Sequence, residues 1–222
     1  EPRRSPMQFT KDSPSQATLY QPATPYFGVE SWTRFSLHDP YYVDVNFPCI
    51  PRRENLESGL LGVFWASYIN APADKSMYFL DQGSTLDAPK WVQFCTQTHN
   101  GDSSVRREDD NIELQLQSDE PTLFSNVSSL RYSAPLFYGR FQDMALIYLF
   151  KTDSTLRFAH SPSGGGKTPS GDDTNPAWDF QLLSPNYAVD KPYTLEARLI
   201  FKPWTGREDV IEEARRYFST ES

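Results

Sequence analysis

The sequence predicts an all-β protein: a large antiparallel two-sheet β-sandwich with one C-terminal helix. Three observations carry this. About a dozen short apolar runs recur along the chain, several alternate with period two, and Pro, Gly, Asp and Asn clusters separate them.

The first 25 residues hold Pro2, Pro6, Pro14, Pro22 and Pro25 among many Ser, Thr and Gln. Such a composition buries too little apolar surface to fold alone, so an extended arm over residues 1–25 is expected, with short edge pairing around Ala17 to Tyr20. The domain proper is expected over residues 26–222. From Trp32 to Leu37 and from Tyr41 to Phe47 large residues alternate, and His38-Asp39-Pro40 between them makes a hairpin. Leu60 to Ile69 is nearly continuous apolar sequence and reads as a strand buried on both faces. Further strands are expected at Met77 to Leu80, Trp91 to Thr98, Ile112 to Gln117, Leu130 to Tyr132, Phe137 to Phe141, Met144 to Phe150, Leu156 to His160, Trp178 to Leu183 and Tyr193 to Phe201. A helix over residues 206–218 follows from the capping-box spacing of Thr205 and Glu208, with Val210, Ile211, Ala214, Tyr217 and Phe218 on one face. Its charged residues read as a solvated face. Two long loops remain, Asn100 to Asn111 and Ser161 to Ala177.

Composition narrows the function. The 222 residues suffice for one sizeable core, built from aromatics, which make up 14% of the chain. Twenty-nine acidic against 21 basic residues give a net charge of -8, which opposes binding to nucleic acid or anionic lipid. No apolar run is long enough to cross a bilayer. The expectation is a soluble chain without a membrane or nucleic-acid partner, cytoplasmic or exported with its signal removed. Cys49 and Cys95 sit in strand-like runs and read as buried free thiols, with a disulfide between them as the other choice.

Several motifs fail on spacing. Gly164-Gly165-Gly166-Lys167-Thr168 resembles the end of a phosphate-binding loop, but Ser161 stands where the first glycine belongs, and Pro169 with Gly171 prevents the helix that must follow. Serine-hydrolase, zinc-protease and zinc-ribbon signatures are lacking. Asp172, Asp173 and Asn175, or Asp109, Asp110 and Asn111, lack the remaining spacing of a calcium loop. No metal and no cofactor is expected.

What remains is a set of polar side chains beside aromatics at strand ends. Sugars are held by flat aromatic faces against their C–H surfaces while polar side chains read the hydroxyls. Trp65, Tyr68, Asn70, Tyr138, Arg140 and Trp178 are the candidate binding residues. Imidazole suits proton transfer near neutral pH, so His99 and His160 are the candidate acid and base, with Asp179 as carboxylate partner and Glu196 as the other choice. The expected function is binding or processing of a carbohydrate on a concave face, in enzymatic form as an epimerase, lyase or hydrolase. The alternative is a non-catalytic binding or interaction domain. No oligomeric state is specified.

The segments Leu61 to Pro72, Arg157 to Gly166 and Asn175 to Gln181 resemble those of a bacterial β-sandwich family to which no activity attaches. In strand succession and in the closing stretch Asp190 to Leu199, the chain is similar to sandwiches of the galactose-mutarotase type, with a jelly-roll as the other form. That resemblance implies a large antiparallel sandwich with a sugar-binding concave face. The mutarotase sugar-binding motifs are absent, so it transfers no residue role.

Overall fold

The computed structural model describes residues 4–98, 101–114, 126–152, 154–162 and 175–219. The strands are β1 (Gln8–Ser13), β2 (Gln16–Gln21), β3 (Val29–His38), β4 (Tyr42–Pro51), β5 (Leu60–Trp65), β6 (Met77–Asp81) and β7 (Trp91–Phe94). They continue as β8 (Ser104–Arg107), β9 (Val127–Phe141), β10 (Met144–Thr152), β11 (Thr155–Ser161), β12 (Ala177–Pro185) and β13 (Tyr193–Pro203), and α1 (Arg207–Ser219) closes the chain.

Hydrogen bonding runs through these strands in the order β1-β2-β3-β4-β13-β10-β9-β8-β11-β12-β5, with β6 on β9 and β7 on β6. Every pairing is antiparallel except that of β8 with β9. The ladder folds over on itself. Phe47 of β4 and Trp65 of β5 lie far apart in strand order, yet their rings meet at 6.0 Å, and Phe150 of β10 meets Phe180 of β12 at 4.8 Å. The long strand β9 makes the fold possible: its first part pairs with β8 in one layer and its last part with β10 and β6 in the other.

Alternation along β9 and β10 sorts the core. Phe137, Tyr148 and Phe150 point between the layers, toward Phe158, Trp178, Phe180 and Leu182. Leu136, Tyr138, Ala145, Ile147 and Leu149 point the other way and pack under Val210, Ile211, Ala214 and Tyr217 of α1. Each such side chain, fully buried, contributes roughly 1.5–3 kcal/mol, and the period-two and helical patterns agree on which side chains these are.

The structure departs from the sequence reading at five places. Residues 8–13 and 16–21 pair as a hairpin onto β3, because backbone ladder bonds form without an apolar face; Phe9 stays exposed. The stretch Leu60 to Ile69 is an edge strand that stops at Trp65, with Gly62 and Tyr68 exposed. The loop from Asn100 to Asn111 contains β8, whose Ser-Val-Arg-Arg sequence carries one apolar residue, Val105, and gives no alternation to read. The strand expected from Ile112 is not formed through Leu114; its remainder lies outside the described residues. On α1, Glu213 is buried rather than solvated, and Lys202 reaches it at 2.8 Å. Cys49 and Cys95 are free thiols, the first buried and the second half-buried.

Candidate functional site

His160 closes β11 beside Trp178 of β12. Its imidazole is 1% exposed and both ring nitrogens are engaged. Nδ1 accepts the Thr96 backbone N–H at 3.2 Å and lies 2.8 Å from the Thr96 hydroxyl; Nε2 lies 2.9 Å from the Lys75 carbonyl. An acceptor Nδ1 puts the ring proton on Nε2, which donates to Lys75. Burial depresses the imidazole pKa, in keeping with this neutral tautomer. Both ring nitrogens are thus engaged within the protein and the ring is enclosed.

The indole Nε1 of Trp178 donates to the same Lys75 carbonyl at 2.9 Å. One backbone oxygen therefore takes two buried donors, and the chain is pinned between Asp74 and Ser76. Trp178 also lies flat against β9 at Gly139: a Cβ there would stand 2.2 Å from the indole ring. Trp178 is thus a fully buried wedge between β12 and β9.

Gly139 separates Tyr138 from Arg140, and strand alternation sends those two side chains to the opposite face. There they enter a cluster from five parts of the chain. The Tyr138 ring stacks on Tyr78 of β6 at 5.0 Å and on Trp204, just after β13, at 5.3 Å; Trp91 of β7 meets it edge-on at 5.1 Å. Arg207, opening α1, donates through Nε to the Tyr138 hydroxyl at 3.0 Å and lies over the Tyr78 and Trp91 rings. The Arg140 guanidinium lies 5.0 Å above Trp204, with its Nε buried and without an acceptor.

A carboxylate completes the cluster. Asp74 accepts the Tyr78 hydroxyl at 2.7 Å and the Ser76 N–H at 2.9 Å, and Gln93 of β7 donates to the Ser76 hydroxyl at 2.9 Å. Burial alone would raise the Asp74 pKa, but the Tyr78 and Ser76 hydrogen bonds outweigh it and hold the group ionised. Burial, then Asp74, pushes the Tyr78 phenol up to about 12. Tyr138 is raised by burial against the opposing pull of Arg207. The cluster therefore presents two fixed cations, one fixed anion and neutral phenols between half-buried indoles.

The other predicted residues do not join it. Asp179 lies across from Ala159, and its Oδ1 accepts the Ser67 N–H at 2.6 Å. At 4% exposure, burial lifts its carboxyl to about 7, partly offset by that N–H, and His160 is not its partner. Trp65 is held between Phe180, stacked at 5.7 Å, and Phe47, so it is packing. Tyr68 and Asn70 are exposed beyond the end of β5. Glu196 is exposed on β13, where Asn46 donates to it at 3.4 Å. His99 and the Gly164 to Thr168 loop lie outside the described residues, as do Asp172 and Asp173. The described candidates divide across β9: Tyr138, itself buried, and the half-buried Arg140 lie on the helix-covered side, and His160 and Trp178 lie behind them, between the layers. Asp74, Tyr78, Trp91, Trp204 and Arg207 carried no motif; only their aromatic and charged types hinted at a site.

A separate hollow of about 510 Å³ is lined by Arg107, Asp109, Tyr132, Lys151, Thr152 and Phe218 among others, and by none of the cluster's residues. Its charges are largely spent on one another, Arg107 on Asp109 at 3.2 Å and Asp110 on the buried Arg157 at 2.7 Å. Chemistry outweighs volume here, because a ligand must find unspent polar groups. Among the described residues no group of three or more His, Cys, Asp or Glu is placed to hold a metal ion, and no helix is long and apolar enough to cross a membrane.

Fold and cluster define an all-β protein, two strand layers with one terminal helix, bearing an aromatic and guanidinium site at one end of the helix-covered layer. No family model matches the chain, and no curated protein does. Among solved structures it is similar to a putative aldose 1-epimerase from Escherichia coli K12, at 11% identity and a TM-score of 0.47, covering 89% of this chain and 69% of that one. It is also similar to HI1317, at 9% identity and a TM-score of 0.43, covering 88% and 63%. ER glucosidase II, in a complex of its catalytic subunit with the binding domain of its regulatory subunit, matches at 8% identity and a TM-score of 0.29, covering 89% of this chain and 23% of that one. No residue role transfers at these identities.

Proposed function

We propose that the protein binds carbohydrate, and that the site is the cluster around Tyr138 and Arg140. The observation that carries this reading is the Arg140 guanidinium held over the Trp204 face without an ion pair, beside the fixed Asp74 carboxylate. Half-buried indoles offer an apolar rim, and Arg140, Arg207 and Asp74 offer the donors and acceptors that hydroxyls need. The structures named above, one of them called an aldose epimerase and one a glucosidase, stand beside this reading without carrying it.

Recognition is favoured over catalysis. The enclosure of His160 removes the one described imidazole in the predicted acid/base pair, and Asp179 is bound to backbone. Epimerase, lyase or hydrolase chemistry would need His99 or another proton carrier at the cluster.

Calorimetric titration across neutral and acidic mono- and oligosaccharides tests the reading. Saturable heats are expected, abolished by Trp204→Ala in a protein that still unfolds cooperatively. Flat heats throughout would overturn it.

A further inference from the structure

We infer that the ligand of this site is an acidic sugar, a pyranose bearing a carboxylate or a sulfate ester, whose anionic group is taken by Arg140 and Arg207. This rests on the carbohydrate reading above and specifies its ligand class.

Acidic residues outnumber basic ones 29 to 21, so a carboxylate is seldom far from an arginine. Arg52, Arg106, Arg107, Arg157, Arg198, Arg215 and Arg216 all reach one within ion-pair distance. Arg53 and Arg131 donate to backbone carbonyls and Arg34 is exposed on β3; Arg140 and Arg207 reach no carboxylate and stand together in one aromatic cluster. They are held by ring faces and by one phenol: Arg140 over Trp204, and Arg207 over Tyr78 and Trp91 with Nε on the Tyr138 hydroxyl. Ring faces hold a guanidinium in place while leaving its N–H edge free.

The nearby Asp74 does not spend this charge. Its two oxygens accept from Tyr78 and Ser76, and it acts on Arg140 only at longer range. The Arg140 Nε is buried beyond a ligand's reach, so the terminal N–H groups of its guanidinium are what call for acceptor oxygens. A carboxylate or sulfate supplies several in a plane or fork that guanidinium matches. The rim of Trp91 and Trp204 then meets the C–H face of the ring that carries the anion. A neutral sugar would leave both cations unmatched.

The test is a set of titrations of the full chain with glucuronic and galacturonic acid and their oligosaccharides, the matching neutral hexoses, and hexose 6-sulfates. Wild type is compared with Arg140→Gln and Arg207→Gln, each checked by thermal unfolding. Acidic sugars are expected to bind at least about tenfold more tightly than neutral ones. Each substitution should weaken acidic sugars at least about tenfold and neutral sugars several-fold less, so that most of the preference is lost, and added salt should narrow the gap. The uronate and sulfate arms identify which anion the site prefers. Equal binding of acidic and neutral sugars, or equal loss of both in the variants, overturns the inference while leaving the carbohydrate reading in place. Binding of no sugar overturns the carbohydrate reading itself.

Discussion

Two buried titratable side chains impose opposite pH dependences. The Asp179 carboxyl is raised to about 7 by burial, so between the ordinary carboxylate range and about 7 the folded chain binds more protons than the unfolded one. Its contribution is therefore present at acid pH and lost as pH climbs through that window. At about 1.4 kcal/mol per decade this amounts to roughly 2–4 kcal/mol. Asp179→Asn keeps an oxygen for the Ser67 N–H, and its urea-unfolding free energy should exceed that of wild type at pH 8 but not at pH 4. His160 runs the other way: its pKa is depressed by burial, so the unfolded chain takes up the proton first and stability falls as pH drops below the free imidazole value of about 6.5. His160→Ala should remove that acid sensitivity. It should also cost about 2–4 kcal/mol, because the Thr96 N–H loses its acceptor and a cavity opens.

At the scale of elements, the seating of α1 depends on an ion pair that the helical pattern concealed. Glu213 occupies a position read as solvated, yet the Lys202 ammonium reaches it at 2.8 Å and also binds Asp209 at 2.7 Å. Lys202→Met leaves the buried Glu213 carboxylate only the longer contacts of the Tyr42 hydroxyl at 3.3 Å and Arg216 at 3.4 Å, and should cost about 2–3 kcal/mol. Lys202→Met with Glu213→Leu should recover most of that loss, and a double-mutant cycle by chemical denaturation measures the coupling. Strands were legible wherever side chains alternate, as in β4, β10 and β13, and α1 was legible from its apolar stripe. β8 was not, because its short polar sequence pairs through backbone alone. The site was half legible: Tyr138 and Arg140 share a strand face, which spacing reveals. Asp74, Trp91, Trp204 and Arg207 reach it from four other segments, and only strand order brings those together. The enclosure of His160 was not legible, because chemical aptitude says nothing of burial.

The whole molecule hangs on β9, which serves both layers. Separating the layers means breaking one strand's pairing with β8 or with β6 and β10. The described residues are therefore expected to unfold as one unit: calorimetric and van't Hoff enthalpies should agree, and near- and far-ultraviolet circular dichroism should change together. Two separated transitions would show the layers to be independent.

The missing side chain at Gly139 leaves only a strand's thickness between the interior and the proposed ligand. Trp178 presses on one side of that backbone, Tyr138 and Arg140 stand on the other, and Trp178 holds the peptide that precedes Ser76. Gly139→Ala should push the indole back, cost about 1–3 kcal/mol by overpacking, and weaken sugar affinity without touching a sugar. The converse is that a saccharide settling outside should quiet motions deep within. The Trp178 indole proton, sealed from solvent and ligand alike, should then exchange with deuterium more slowly in the complex, so that an atom that never meets the guest registers its arrival.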